Sequence, residues 1–190
     1  MKRELNQRGF TLVELAIVMV IIGLLIGAVL KGQAMIDDAK NKRLFNDLQG
    51  ISAAYFTYYD RYSAVPGDDP GSLPRWGIAS GDGNGFISVA ESTIAWQGLR
   101  YSGLLSGDPV TAGATAAPRH PYGGQYGFGN AAFAGFGTGN VTKNYIIVNA
   151  ISGSVAEAAD RKFDDGIFGT GTVRGSAAYT NASINLQYIL

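Results

Sequence analysis

The chain has no cysteine and a single histidine, His120. The first absence rules out a disulfide framework, thiol catalysis and thiolate metal sites, so long loops must be held by other means. The second rules out an HExxH zinc signature, which needs two histidines, and no Ser/His/Asp arrangement or phosphate loop appears in the sequence. His120 stands between Arg119 and Pro121, in a stretch that reads as loop. Charge is sparse as well: 16% of 190 residues are charged and the net charge is zero, so no basic face points to nucleic acid. Proline is missing from the whole stretch before Pro66.

What is present is concentrated at the start. Phe10 to Leu30 (FTLVELAIVMVIIGLLIGAVL) holds one charge, Glu14. Roughly 20 apolar residues in a helix cross the hydrocarbon layer. Lys2, Arg3 and Arg8 precede the run, and the positive-inside rule places that end in the cytoplasm. No small-residue cleavage site follows the apolar run, as a secretory signal would require. An acid inside such a span costs about 2.5–3.5 kcal/mol at the helix centre and calls for a partner. Close to a helix N-terminus the macrodipole lowers that penalty.

Arg8-Gly9-Phe10-Thr11-Leu12-Val13-Glu14, followed by an apolar helix, resembles the signal of type IV pilins and type II secretion pseudopilins. The resemblance implies a prepilin peptidase that cuts between Gly9 and Phe10 and methylates the new amine. It implies three parts: residues 1–9 as leader, 10–30 as the membrane and assembly half of a helix, and 31–190 as a head outside the cytoplasm. It further implies that Glu14 pairs with the Phe10 amine of an adjacent subunit. The expected partners are copies of this chain or homologous pilin-like subunits, the peptidase, an inner-membrane assembly platform and membrane lipid. The expected place is the bacterial inner membrane, then a periplasmic pseudopilus or surface pilus. Removing the leader takes three basic and one acidic side chain from 15 of each, leaving a balance of −2. Many pilins carry a proline just after the membrane half; here Lys31 stands there.

The helical pattern continues past Lys31. Leu44, Leu48, Ile51, Tyr55, Tyr58 and Tyr62 recur at four- and three-residue steps, one face of a helix. A helix over 10–62 is about 80 Å long at 1.5 Å per residue. Phe45, Tyr55, Phe56, Tyr58, Tyr59 and Tyr62 read as core aromatics. Gly23 and Gly27 are candidates for close helix approach in the membrane.

Two prolines around an acidic turn (SAVPGDDPGSLP) end that helix. A second helix is expected over 89–105, opened by a Ser88/Glu91 capping box, with Trp96, Leu99 and Gly103 on its packing face. Strands are expected over 144–150, 172–180 and 183–190, with Asn181-Ala182 as a tight turn, and a short helix over 152–164. One long helix on an antiparallel sheet is an α+β arrangement, consistent with the pilin-like fold that the N-terminus implies. PGDDP, ESTIAWQGLRYSGLLSG and DRKFDDG also look like segments of pseudopilin-like proteins, and HPYGG resembles their turn into the sheet.

SGDGNGFISVAE, residues 80–91, aligns with a twelve-position calcium loop. Ser80, Asp82 and Asn84 fall at the first, third and fifth positions, Gly85 at the sharp turn, Phe86 at the backbone-carbonyl position and Glu91 at the twelfth. Calcium is therefore an expected ligand; Asp68 and Asp69 are candidates to complete its shell but read first as solvated turn acids. The same residues also read as a Gly-rich turn entering a capping box. Asp160 and Asp164, one turn apart, repel unless Arg161, Lys162 or a cation lies between them, or the turn is solvated. The function expected is a non-enzymatic filament subunit. The alternatives are an anchored extracytoplasmic binding protein using the Gly/aromatic region 122–137, or a minor pilin at a filament tip.

Overall fold

The computed structural model describes residues 10–130 and 143–190. The expected leader with Gly9, and residues 131–137 of the Gly/aromatic region 122–137, lie outside the described residues. The element order is α1 (Leu12–Tyr62), α2 (Ser72–Trp76), α3 (Val89–Tyr101), a 3-10 turn (Gly113–Ala116), β1 (Tyr126–Gly129), β2 (Tyr145–Ile151), α4 (Gly153–Phe163), β3 (Val173–Gly175) and β4 (Ile184–Ile189). The four strands form one antiparallel sheet in the order β1-β2-β4-β3. This is the expected α+β, pilin-like arrangement of a long helix, a small antiparallel sheet and short helices.

The chain divides into two units, Met1–Ala39 and Lys40–Leu190, and α1 runs through the division. In the first unit every residue from Phe10 to Leu30 is exposed. This helix is long and apolar enough to cross a membrane, and the exposed stripe is complete around its circumference, as lipid contact requires.

In the second unit α1 turns one face inward. Leu44, Leu48, Ile51, Tyr55 and Tyr58 are buried, with Ala54 beside them, and Tyr62 is half-buried at the end of the stripe. Phe56 and Tyr59 do not join this core; both remain half exposed, because they fall on the flank of the helix, off the centre of the buried stripe. Gly98 of α3 comes against Tyr58, where an added Cβ would sit 3.5 Å from the phenol oxygen. Trp96 packs on Phe128 with ring centroids 4.4 Å apart. The sheet adds Ile146, Val148, Val173, Ile184 and Leu186 to the same core.

Several boundaries differ from the sequence reading. Helix α3 stops at Tyr101, because Gly103 takes a positive φ of 73° and lies exposed outside the helix. The proline-rich turn contains a short helix, α2, between Asp69 and the Gly77 cap. Only Val173–Gly175 of the expected strand over 172–180 pairs. The tight turn at Asn181-Ala182 is replaced by a longer connection, in which Tyr179 leaves the sheet to bond Asp160. Strand β2 carries a bulge between Val148 and Ile151, where Ala150 has φ 56° and donates its N–H to Asn185 Oδ1 at 2.9 Å.

Candidate functional site

At the start of α1, Phe10 is exposed, with 82% of its surface open. Thr11 donates from its backbone N and its Oγ1 to Glu14 Oε2, both at 2.8 Å, and Glu14 N donates back to Thr11 Oγ1 at 3.2 Å. That is a capping box, T-x-x-E, which satisfies two of the donors a helix start leaves open. The spacing is written in the sequence, so Glu14 has a local role beside any role between subunits.

The Gly-rich loop is organised around a residue from outside it. Asp68 is buried, with 2% of its surface exposed, and its carboxylate receives the amides of Gly83 (2.7 Å), Asn84 (3.3 Å) and Gly85 (2.6 Å). Gly83 and Gly85 have positive φ, which turns these amides inward. A Cβ on Gly81 would collide with the Asp68 backbone. Burial pushes the Asp68 carboxyl up from its usual value, while the Gly85 and Gly83 amides pull it back.

Asp69, read as solvated, is also buried. Its Oδ2 accepts from Tyr58 Oη at 2.7 Å and pairs with Arg75 at 2.6 Å, and its Oδ1 accepts from Gly71 N at 2.7 Å. Burial alone would raise its pKa, but the Tyr58, Arg75 and Gly71 bonds outweigh it and hold the carboxyl below the usual range. Two acids that look like surface turn residues in PGDDP are thus the inner fastenings of the head. The physical signal was available: consecutive acids between two prolines, followed by a glycine-rich loop with amides to satisfy.

Of the expected calcium ligands, Asp82 and Glu91 come together with Asp68. One carboxylate oxygen from each lies within 4.8 Å of the others. Glu91 is buried; its Oε1 accepts from Asp82 N at 3.2 Å, and its Oε2 from Ser88 N at 2.8 Å. The Ser88/Glu91 capping box is present as expected. Ser80 is drawn away, with its Oγ donating to Pro70 O at 3.1 Å and accepting from Leu73 N at 3.3 Å. Asn84 Oδ1 accepts from Phe86 N at 2.8 Å. Asp68, and not Ser80, is thus the residue that stands beside Asp82 and Glu91.

Asn144 was missed by sequence reasoning. Buried at the entry to β2, its Oδ1 accepts from Ile87 N (2.9 Å), and its Nδ2 donates to Tyr55 Oη (2.8 Å) and Gly85 O (2.9 Å). A polar residue immediately before the apolar run 145–148 is the signal that was available in the sequence.

The second acidic group is Asp160, Asp164 and Asp165, again with a carboxylate oxygen from each within 4.8 Å. It is not a solvated turn. Asp160 is fully buried and accepts from Tyr179 Oη at 2.6 Å. Asp164 Oδ2 accepts from the backbone N–H groups of Thr172 and Val173. Asp165 accepts from Ile167 N and Thr170 Oγ1. Arg161 does not lie between the acids, since it pairs with Glu157. Burial raises the Asp160 carboxyl above its usual value.

His120 is buried rather than free in its loop. Its Nε2 donates to Asn149 O at 2.7 Å and its Nδ1 accepts from Tyr122 N at 3.3 Å, which assigns the Nε2–H tautomer. HPYGG closes the expected turn: His120 and Gly124 bond through N and O, and Arg119 bridges to Gln125 just before β1.

The fold and the exposed apolar helix together define a pilin-like α+β protein. Residues 5–30 match a family model described as the prokaryotic N-terminal methylation motif. This chain carries the prepilin-type signal of type IV pilin-like precursors, and an apolar N-terminal helix with that signal fits a membrane-anchored protein. No curated protein and no solved structure matches the chain.

Proposed function

We propose that this chain is cleaved between Gly9 and Phe10, methylated on Phe10 and polymerised as a structural subunit of a type II secretion pseudopilus or type IV pilus-like filament. The observation that carries the reading is the methylation motif continuing into a helix whose residues 10–30 are all exposed. Such a surface has only lipid or other helices to cover it. On this reading residues 1–9 are the leader, 10–30 the membrane and packing half, and 31–190 the head outside the cytoplasm. Prepilin peptidase, an inner-membrane platform and further pilin-like subunits are the partners. The motif points to a structural subunit rather than an enzyme. The absence of cysteine and of a proline after the membrane half favours the pseudopilus. Mass spectrometry of the protein from its own membrane tests the reading: methyl-Phe10 is the expected N-terminus, and a chain still beginning at Met1 would overturn it.

A second reading concerns the loop at 80–91. We propose that Asp68, Asp82 and Glu91 contribute hard oxygens to a calcium ion. Support comes from the approach of their carboxylates and from the exposure of Asp82, which leaves an entry path. Titration calorimetry on the chelator-stripped full chain in detergent is expected to show calcium binding that Asp82→Asn weakens. No heat of binding and no change in melting would remove calcium from the account.

A further inference from the structure

Arg100 stands out among the basic residues. Its Nε is buried and makes no hydrogen bond, and the side chain forms no ion pair among the described residues. A buried donor left open costs about 1–3 kcal/mol. The terminal Nη groups of the same guanidinium have no partner among the described residues either, and they are the donors a ligand can meet. The backbone at Gly107, with φ 126°, crosses close to this guanidinium, and a Cβ there would sit 2.8 Å from Nε. Arg100 is thereby held against the fold rather than swinging into solvent.

It lines a cavity of about 240 Å³ that also receives Arg43 from α1 and Arg119 from the loop before β1. The single acid in the wall is Asp47, whose Oδ2 accepts from Tyr126 Oη at 2.9 Å and stands 3.8 Å from Arg43 Nε. Three arginines and one acid thus line the cavity, an excess of two positive charges, with Arg119 Nη1 donating to Gly123 O at 3.1 Å and its other side-chain donors uncommitted among the described residues. Ile51 and Leu105 complete the wall with apolar surface. Low-dielectric walls carrying one sign of charge concentrate ions of the other sign. Asp47 opposes a second negative charge on the ligand, and a guanidinium fork matches the plane of a carboxylate.

We propose that this cavity binds a carboxylate, with Arg100 as its anchoring donor and the apolar wall taking the carbon chain next to it. The carboxylate is either on a free small acid or on a side chain of a second copy of this chain. The site stands independently of the filament reading; only the second source rests on it.

The full chain in detergent is titrated with sodium butyrate, with sodium chloride at matched ionic strength as control. The expected result is a saturable rise in melting temperature with butyrate that chloride does not reproduce. Arg100→Gln, which breaks no hydrogen bond or ion pair of Arg100 within the described fold, is expected to weaken the effect at least ~10-fold. Arg119→Gln serves as a second variant should the first fail to fold. Sedimentation separates the sources. If a second copy supplies the group, butyrate and Arg100→Gln both reduce self-association; if a free acid does, self-association is unchanged while the melting shift persists. Equal shifts with butyrate and chloride, or an undiminished butyrate shift in both folded variants, overturn the proposal.

Discussion

Both hydrogen bonds that Thr11 donates to Glu14 end on the same oxygen, Oε2, leaving Oε1 without a partner among the described residues. Glu14 is thus half committed to its own helix and half open. A charge-assisted bond from the amine of another subunit requires no release of the cap. Glu14→Leu is expected to insert into the membrane normally and to lose filament assembly. Glu14→Gln keeps a carbonyl oxygen for the cap but no charge, so it is expected to assemble poorly while preserving the helix start. Sheared-filament blotting reads both variants, and normal filaments from either would sink the pairing.

Asp68→Ala removes the acceptor for three backbone amides at once. A loss of roughly 3 kcal/mol is expected, since each buried N–H left open is costly. Asp68→Asn keeps one acceptor oxygen and is expected to lose about half of that. Urea unfolding of the chain in detergent measures the difference; equal stability of Asp68→Ala and the parent would contradict the three amide bonds.

His120 gives the head an acid-sensitive contact. Burial holds its pKa below the ordinary 6.5, while the bond to Asn149 and the charge of Asp47 act in the opposite sense. The folded state therefore stays neutral where the unfolded chain already takes up a proton. Its contribution is complete above pH 6.5 and declines as the pH falls from 6.5 through the lowered folded value. Because the chain has one histidine, its imidazole signal in proton NMR is unambiguous. The midpoint should lie below 6.5, and His120→Gln should flatten the stability profile in that window.

Ala150 occupies a left-handed conformation, φ 56°, at the β2 bulge. A Cβ in that region costs about 1 kcal/mol, which glycine avoids. Ala150→Gly is therefore expected to stabilise the head by up to about 1 kcal/mol, less the larger entropy of the unfolded glycine chain. Thermal melting decides the sign, and a clear drop would mean that the Ala150 methyl packs usefully.

Local periodicity made the backbone of the fold legible. The face Leu44–Leu48–Ile51–Tyr55–Tyr58, the Ser88/Glu91 box and the apolar run at β2 each follow from spacing within one element, and the structure places each as expected. What spacing does not encode is which polar groups meet from distant segments. Asp68 reaches amides 15 to 17 residues away, and Asn144 reaches Ile87, Gly85 and Tyr55 across 57 to 89 residues. Such partners are chosen by the packing of α1 against the sheet. Exposed Phe56 and Tyr59 show the converse: aromatic type alone did not say which side of the helix faces inward. The cavity arginines are likewise scattered at 43, 100 and 119, and only folding gathers them.

The Asp68 clamp has a consequence for how the head matures. A disulfide needs an oxidant and, once formed, is unlinked only by a reductant or by exchange with another thiol. A carboxylate gripping three amides forms as soon as the two segments meet and opens again without chemistry. The head can therefore reach its final form without thiol-oxidising machinery. Its unfolding curve should be the same with and without dithiothreitol.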